Sequence, residues 1–122
     1  MAANPAPGFK NRPDHRIVVS PAGKRIEARF HGEVIAETRD ALAMKEGTYP
    51  VVYYFPRKDV RMEALERSTH STHCPFKGDA SYFSLKDGPR DAVWSYETPF
   101  DEMLAIKEYV AFYPDKVDIS AG

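Results

Sequence analysis

The chain's single cysteine lies in a segment that combines several groups able to do chemistry. This segment, "STHSTHCPFKG" at residues 68–78, contains His70, His73, Cys74 and Lys77. An ammonium or imidazolium group beside a thiol favours the thiolate, which is the form that acts as a nucleophile or in redox chemistry. Cys74 and Lys77 are therefore the candidate catalytic residues. The alternative is that Cys74 is a small buried side chain, Lys77 points to water and Gly78 serves only the turn.

The histidines and the cysteine of this segment are also potential zinc ligands. A structural zinc site needs four ligands, and His15 and His31 lie far away in the sequence without a repeated spacing. The chain has no C-x-x-C pair, and neighbours in a strand, such as His73 and Cys74, point to opposite faces. We expect no metal, although the number of ligands still permits an open catalytic site with three of them. Any other cofactor is unknown.

Two further groups of residues supply candidates for ligand binding. In "YYFPRKDV", at the end of a predicted strand, Arg57 could hold an anion and Asp59 could orient a partner, or both could belong to a solvated turn. In "AVWSYETP", the aromatic side chains could line a pocket, or the only tryptophan could pack in the core. The candidate ligand-binding residues are Tyr54, Arg57, Asp59, His70, Tyr82, Trp94 and Tyr96.

The elements that must position these residues are predicted to be short strands, because 10 prolines and 7 glycines interrupt the chain. "HRIVVSP" is a strand that ends at Pro21, and "RIEARFHGEVIAET" is a hairpin that turns at His31 and Gly32. "YPVVYYFP" at residues 49–56 is β-branched and aromatic, which indicates a strand. "ASYFSLK" and "AVWSYE" form a second hairpin.

Helix is predicted only in short pieces. "DEMLAIKEY", at residues 101–109, suits one or two helical turns, because acids precede its apolar residues. "DVRMEALERS" is either a helix or an extended segment. "VAFYPDKVDIS" closes the chain as a broken strand. The predicted fold class is mostly β, with antiparallel sheets and one or two short helices.

Length and composition predict one soluble domain. The 122 residues divide into a flexible N-terminal segment (1–14), a globular domain (15–119) and a C-terminal tail (120–122). A net charge of −1 gives no attraction to nucleic acid, and no apolar run is long enough to span a membrane. The lone cysteine and the lack of a targeting signal indicate the cytoplasm. A homodimer is compatible with the aromatic content and the exposed strand edges.

Several common catalytic motifs are missing from the sequence. There is no G-x-x-x-x-G-K-[ST] phosphate loop, no G-x-G-x-x-G, no H-E-x-x-H and no G-x-S-x-G. These absences remove the usual signatures of nucleotide binding, of zinc peptidases and of serine hydrolases. They leave the segment around Cys74 as the main candidate site.

Four segments, in this order and spacing, resemble a known family: "YYFPRKDV", "LERSTHSTHCPFKGDASYFSL", "AVWSYETPF" and "VAFYPDKVD". The chain is similar, over about residues 15–119, to domain of unknown function family 427, a small bacterial and fungal family. The matching positions are Tyr54, Phe55, Pro56, Asp59, Cys74, Pro75, Lys77, Gly78, Tyr82, Trp94, Tyr96 and Pro99. His70 also stands where the family often has histidine, whereas His73 replaces a tyrosine or another residue.

The resemblance implies a compact, β-tent-like antiparallel fold, shared with methionine sulfoxide reductase B and with small zinc-binding exchange-factor relatives. Those relatives bind zinc through paired C-x-x-C ligands, which this chain lacks, so their zinc is not implied here. Family members are sometimes labelled nucleotidyltransferase-like. The chain has neither a Gly-Ser start motif nor a clear pair of metal-binding acids to support that activity.

Two functions from different classes follow from these residues. The first is a ligand-binding domain whose aromatic and basic cleft around Cys74 takes a small polar or anionic molecule, with enzymatic activity left open. The second is a non-catalytic β module that binds a protein partner through an aromatic patch, with Cys74 only packed. The reactivity of Cys74 in the folded chain distinguishes them.

Overall fold

A computed structural model describes residues 3–122 and contains ten strands in three antiparallel sheets. Sheet A has the strand order β1-β4-β5, sheet B has β10-β2-β3 and sheet C has β6-β7-β8-β9. The strands are β1 Ile17–Pro21, β2 Ile26–Phe30, β3 Glu33–Thr38, β4 Leu42–Glu46, β5 Val52–Tyr54, β6 Leu65–Cys74, β7 Gly78–Leu85, β8 Val93–Tyr96, β9 Val110–Phe112 and β10 Asp118–Ala121. The predicted fold class, mostly β with antiparallel sheets, is confirmed.

Helix is confined to short pieces, as predicted. The α-helix α1 spans Pro7–Asn11, and 3-10 turns span Arg57–Asp59, Met62–Ala64 and Asp101–Ile106. The last of these confirms helix in "DEMLAIKEY", although a kink at Met103 divides it. In "DVRMEALERS" both alternatives occur in turn, because a single 3-10 turn leads directly into β6. Within residues 3–122 the structure contains no helix with the length and apolar character that a membrane crossing requires.

The segment before β1, for which composition predicts flexibility, contains α1 and contacts the domain. The Gly8 N–H donates to the carbonyl of Pro75 over 2.9 Å. The ring of Phe9 packs edge-on against that of Phe76, with centroids 5.0 Å apart. Because Pro75 and Phe76 follow Cys74 directly, α1 covers the turn that carries the candidate site.

Both predicted hairpins are present. The β2–β3 turn places His31 at φ 50° and Gly32 at φ 79°. Two consecutive positive φ values match the twist of the flanking strands in a two-residue hairpin turn. Strands β7 and β8 pair antiparallel with Tyr82 opposite Trp94. This register places the two aromatic side chains on the same face of sheet C.

Sheet C separates two hydrophobic cores because successive side chains of its strands point to opposite faces of the sheet. On one face Phe83 and Val93 pack with Ile26 of β2, so this core lies against sheet B. On the other face Tyr82 and Trp94 pack with side chains of β1, β4 and β5, so the second core lies against sheet A. The second core is rich in tyrosine, and it contains Cys74.

Strand β4 is one element that the sequence analysis does not predict; the helix α1 is another. Leu42 and Met44 alternate with Ala43 and Lys45, and the apolar pair belongs to the second core. The same alternation turns Glu46, at the end of β4, toward that core. A carboxylate is thereby brought between sheets A and C.

Candidate functional site

The turn between β6 and β7 brings Cys74 and Lys77 together. β6 ends at Cys74 and β7 begins at Gly78, which lies opposite Cys74 in the register. The Lys77 N–H donates to the Cys74 carbonyl over 3.2 Å, which closes the turn. The Lys77 side chain then folds back between the sheets, where only 11% of it is exposed. Lys77 therefore does not point to water, so the alternative in which it is a solvent-exposed side chain is wrong.

The Lys77 ammonium is held beside the thiol by a carboxylate from β4. Its Nζ lies 2.6 Å from Glu46 Oε1 and 3.9 Å from Cys74 Sγ. The other carboxylate oxygen of Glu46 accepts a hydrogen bond of 2.9 Å from Nε2 of His15. These four side chains form a continuous line of polar contacts, which runs from His15, just before β1, to Cys74 at the end of β6.

Glu46 lies at the centre of this line of polar contacts, between Lys77 and His15. Burial of Glu46 favours its neutral form, but the hydrogen bonds from Lys77 and His15 outweigh this, and together they hold the pKa of Glu46 below its ordinary value. Glu46 is therefore ionised at neutral pH and balances the charge of Lys77. The pair fixes the ammonium in position next to Cys74 without leaving a net charge.

A row of tyrosines continues from the thiol along the same face of sheet C. Tyr96 and Tyr54 are buried, and burial raises the pKa of both phenols well above the ordinary value. Nearby acidic groups, including Cys74 and Glu46, raise both values further. Both phenols therefore stay neutral, so each keeps a proton that it can donate to an oxygen or sulfur acceptor.

The far end of the row contains a second set of hydroxyl contacts. The hydroxyl of Tyr82 lies 2.9 Å from Thr72 Oγ1 and 3.5 Å from the hydroxyl of Tyr113. Burial, together with Tyr82, raises the pKa of Tyr113 to about 12. Trp94 Nε1 donates to the hydroxyl of Tyr54 over 3.3 Å. We call the whole arrangement the tyrosine–cysteine layer; it comprises Glu46, Tyr54, Cys74, Lys77, Tyr82, Tyr96 and Tyr113.

Most of the residues predicted from the sequence adjoin this layer. Five belong to the second core or to the Lys77 ion pair: Tyr54, Cys74, Lys77, Tyr82 and Tyr96. Trp94 packs against the same core, and the ring of His70 lies 4.5 Å from that of Tyr82. Sequence reasoning missed Glu46 and His15. The signal for Glu46 is its place two residues after Met44 in an alternating segment, whereas His15 carries no local signal.

Arg57 and Asp59 do not lie with the other predicted residues. Arg57 donates to Ser95 Oγ and to Glu97 Oε2, each over 3.0 Å. Because Ser95 alternates with Trp94 and Tyr96 in β8, this contact is on the opposite face of sheet C. Asp59 accepts a hydrogen bond of 2.6 Å from Thr38 Oγ1. The structure therefore does not bring Arg57 and Asp59 into a cleft with Cys74, as the sequence analysis expects. The direction of these side chains is set by the 3-10 turn after Pro56, and the sequence alone does not show this direction.

His73 also points away from the thiol, as neighbouring strand positions require. Its Nδ1 lies 2.7 Å from Asp79 Oδ1 at the surface. Among residues 3–122, no three histidine, cysteine, aspartate or glutamate side chains are grouped so that they could hold a metal ion. The arrangement around Cys74 is one of a thiol, an ammonium, a carboxylate and phenols.

The ion pairs of Glu97, on the opposite face of sheet C, predict that the stability of the fold falls at acid pH. Arg67 contacts both oxygens of Glu97 at 2.8 and 2.9 Å. Arg67 and, more weakly, Arg57 lower the pKa of Glu97 from 4.5 to about 2. A carboxyl whose pKa is depressed by folding stabilises the fold above its ordinary pKa, and this is lost as pH falls toward its folded value. We therefore expect the contribution of Glu97 to the free energy of unfolding to fall by about 1–2 kcal/mol between pH 4.5 and pH 2; the value is kept small because Arg67 is half exposed and the pair is screened by water.

Urea unfolding at a series of pH values checks this expectation when the Glu97→Gln variant is measured beside the unaltered chain. The two proteins should differ most in unfolding free energy above pH 5 and converge as pH falls below about 2, where the carboxyl is protonated in both the folded and the unfolded state. A difference that stays constant over this range would show that the ion pairs of Glu97 do not stabilise the fold.

Comparison with known proteins identifies one family. The family model described as "Domain of unknown function (DUF427)" matches residues 18–121, which is nearly the whole chain. This confirms the resemblance drawn from the four segments. No curated protein matches the chain.

Proposed function

We propose that this chain, which belongs to the DUF427 family, binds a small polar molecule in the tyrosine–cysteine layer and presents Cys74 to it as a reactive thiol. The observation that carries the proposal is the buried Lys77 ammonium, 2.6 Å from Glu46 and 3.9 Å from Cys74 Sγ. An ammonium fixed beside a thiol stabilises the thiolate, which is the nucleophilic form.

The roles of the other residues follow from their contacts. Glu46 holds Lys77 in place and is itself held by His15, so the position of the ammonium depends on both. The neutral phenols of Tyr54 and Tyr96 can donate hydrogen bonds to an oxygen of the guest. Such donors, kept away from bulk water, stabilise charge that develops on an oxygen when a thiolate attacks.

The charge balance favours an uncharged polar guest over an anion. Lys77 is paired with Glu46, and Arg57, which was considered an anion-binding residue, is paired with Glu97 on the opposite face. The Lys77 ammonium is already shared between Glu46 and the sulfur of Cys74, so an anionic guest would find no further cation among the described residues to pair with it there, and removing its hydration shell would be costly. The hydroxyl groups of the layer suit a guest with carbonyl, hydroxyl or amide groups.

Alkylation with iodoacetamide tests the proposal directly, because Cys74 is the only cysteine and every mole of product reports on it. We expect the folded chain at pH 7 to react about tenfold faster than the urea-unfolded chain, which corresponds to about 1.4 kcal/mol in activation free energy. The Glu46→Gln variant should react more slowly than the unaltered chain, because its lysine is no longer held beside the thiol.

The matched control is Glu97→Gln, which removes a paired carboxylate on the opposite face of sheet C and should leave the alkylation rate unchanged. A small neutral amide or polyol that binds in the layer should slow alkylation in proportion to its occupancy. Reaction only after unfolding would contradict the proposal and would favour the alternative, in which Cys74 is packing in a non-catalytic module.

A further inference from the structure

An apolar groove of about 510 Å³ opens where edge strands of all three sheets meet. β5 is an edge of sheet A, β9 is an edge of sheet C and β10 is an edge of sheet B. The groove is lined by side chains that include Tyr49, Val51, Tyr53, Trp94, Tyr113 and Ile119. In the described part of the chain, no residue lining the groove carries a formal charge.

The groove exposes hydrocarbon that the fold does not use. Tyr49 is 65% exposed and Val51 is 45% exposed, and both lie on the loop that leads into β5. Apolar and aromatic side chains gathered in a concave site are the usual lining of a small-molecule binding pocket. The volume falls in the range of cavities that hold small molecules, which is about 300–1,000 Å³.

The backbone around the groove argues against a peptide that would add a strand to the exposed edges. The Phe55 N–H donates to the Val110 carbonyl over 2.7 Å, and the Val110 N–H donates to the Phe55 carbonyl over 2.9 Å. Strand addition needs free N–H and C=O groups along an edge, and these two residues already satisfy each other. A peptide therefore cannot add a strand at the point where Phe55 bridges to Val110, and we consider the lining side chains as the means of recognition.

Two of the lining side chains, Trp94 and Tyr113, offer carbon surface because their polar atoms are bonded away from the groove. Trp94 Nε1 is bonded to the hydroxyl of Tyr54, and the hydroxyl of Tyr113 contacts that of Tyr82. The rings of Trp94 and Tyr113 lie 4.5 Å apart at an angle of 47°. Both rings direct their polar atoms toward the tyrosine–cysteine layer, which leaves their carbon surface to line the groove.

We propose that this groove binds a small, uncharged aromatic molecule. Flat rings stack favourably on the faces and edges of tyrosine and tryptophan, and the lining has no charge to compensate an ionic group. The site lies at the far end of the aromatic row from the thiol and requires no reaction of Cys74. It shares Tyr113 with the tyrosine–cysteine layer, but binding in the groove does not depend on the function proposed for Cys74.

Binding of the neutral probe N-phenyl-1-naphthylamine tests this proposal, because Trp94 is the only tryptophan and lines the groove. We expect saturable quenching of Trp94 emission at one probe per chain. The same ring system carrying a sulfonate, 8-anilinonaphthalene-1-sulfonate, should bind at least about tenfold more weakly, because no charged side chain among residues 3–122 lines the groove. Two lysines that contact lining residues, Lys45 and Lys116, already donate to the carbonyl oxygens of Tyr49 and Arg90.

Two variants test whether the probe binds in the groove. Val51→Glu should weaken binding at least about tenfold, because it puts a charge into the apolar lining. Val18→Glu, which changes a valine of similar exposure (47%) on β1, is the matched control and should bind as the unaltered chain does. Circular dichroism and light scattering of each protein verify that fold and mass are retained.

Three results would overturn the proposal. One is the absence of saturable quenching in the folded chain. Another is equal binding by the Val51→Glu and Val18→Glu variants, which would place the probe elsewhere. The third is a dimer that Val51→Glu converts to a monomer, because a second copy of the chain would then be the occupant of the groove.

Discussion

Replacing Lys77 with methionine is expected to lower the free energy of unfolding at pH 7 by about 3 kcal/mol, which is the lower end of the range for breaking a buried ion pair. Methionine keeps a similar length and apolar stem, so the loss comes from the ammonium. Without it, the carboxylate of Glu46, which is only 19% exposed, keeps a single hydrogen bond from His15. The measurement is urea unfolding followed by the fluorescence of Trp94.

Lys58→Met is the matched control for this substitution. Lys58, like Lys77, is paired with acidic side chains, Asp40 and Asp59, but it is 63% exposed. Surface pairs of this kind contribute about 0–1 kcal/mol, so the control should cost much less. The double substitution Lys77→Met with Glu46→Gln should recover part of the lost stability, because the unpaired charge is gone. Equal costs for the two lysines would show that the Lys77–Glu46 pair does not stabilise the fold.

Replacing Gly78 with alanine is expected to cost about 3 kcal/mol, because Gly78 has φ 119°. This value lies outside the left-handed region that asparagine and other residues sometimes occupy, so only glycine adopts it without strain. An added Cβ would lie 3.4 Å from Pro99 Cα and from the Thr98 carbonyl oxygen, which is ordinary van der Waals contact, so the cost comes from the backbone conformation. Gly78 therefore fixes the turn that returns Lys77 to Cys74.

The comparison for this prediction is Gly23→Ala. Gly23 has φ 72°, and nothing lies within 4 Å of the position of its missing Cβ. Its cost should be about 1 kcal/mol, which is that of an ordinary left-handed position. Thermal or urea unfolding of both variants gives the difference. Similar losses at the two positions would mean that the β6–β7 turn tolerates a side chain and is not the strained element described above.

Much of the fold is predictable from local patterns, and the reasons are visible at particular residues. The turn at His31 and Gly32 and the aromatic run that contains Tyr54 are short-range signals, because turn chemistry and alternation act within a few residues. Strand β4 escapes notice because its five residues include Lys45 and Glu46, which blur the apolar alternation.

The candidate site is less predictable because it depends on which face each side chain takes. Cys74 and Lys77 are close in sequence, so their proximity could be inferred from the turn between them. Glu46 reaches them only through the packing of sheet A on sheet C, over 31 residues of sequence separation from Lys77. Tyr54 is the last residue of β5 and Arg57 follows it by only three residues. The 3-10 turn after Pro56 nevertheless directs the Arg57 side chain to the other face of sheet C, where it contacts Glu97.

The division of sheet C between two cores has a consequence for how this protein can change over generations. In β7 and β8 the even-numbered positions, such as Tyr82 and Trp94, face the tyrosine–cysteine layer, whereas odd-numbered ones, such as Phe83 and Val93, face the other core. Under the function proposed for the layer, mutations at even positions change which guest is accepted and leave the opposite core intact. Alternate residues of the same two strands are then under different selective constraints.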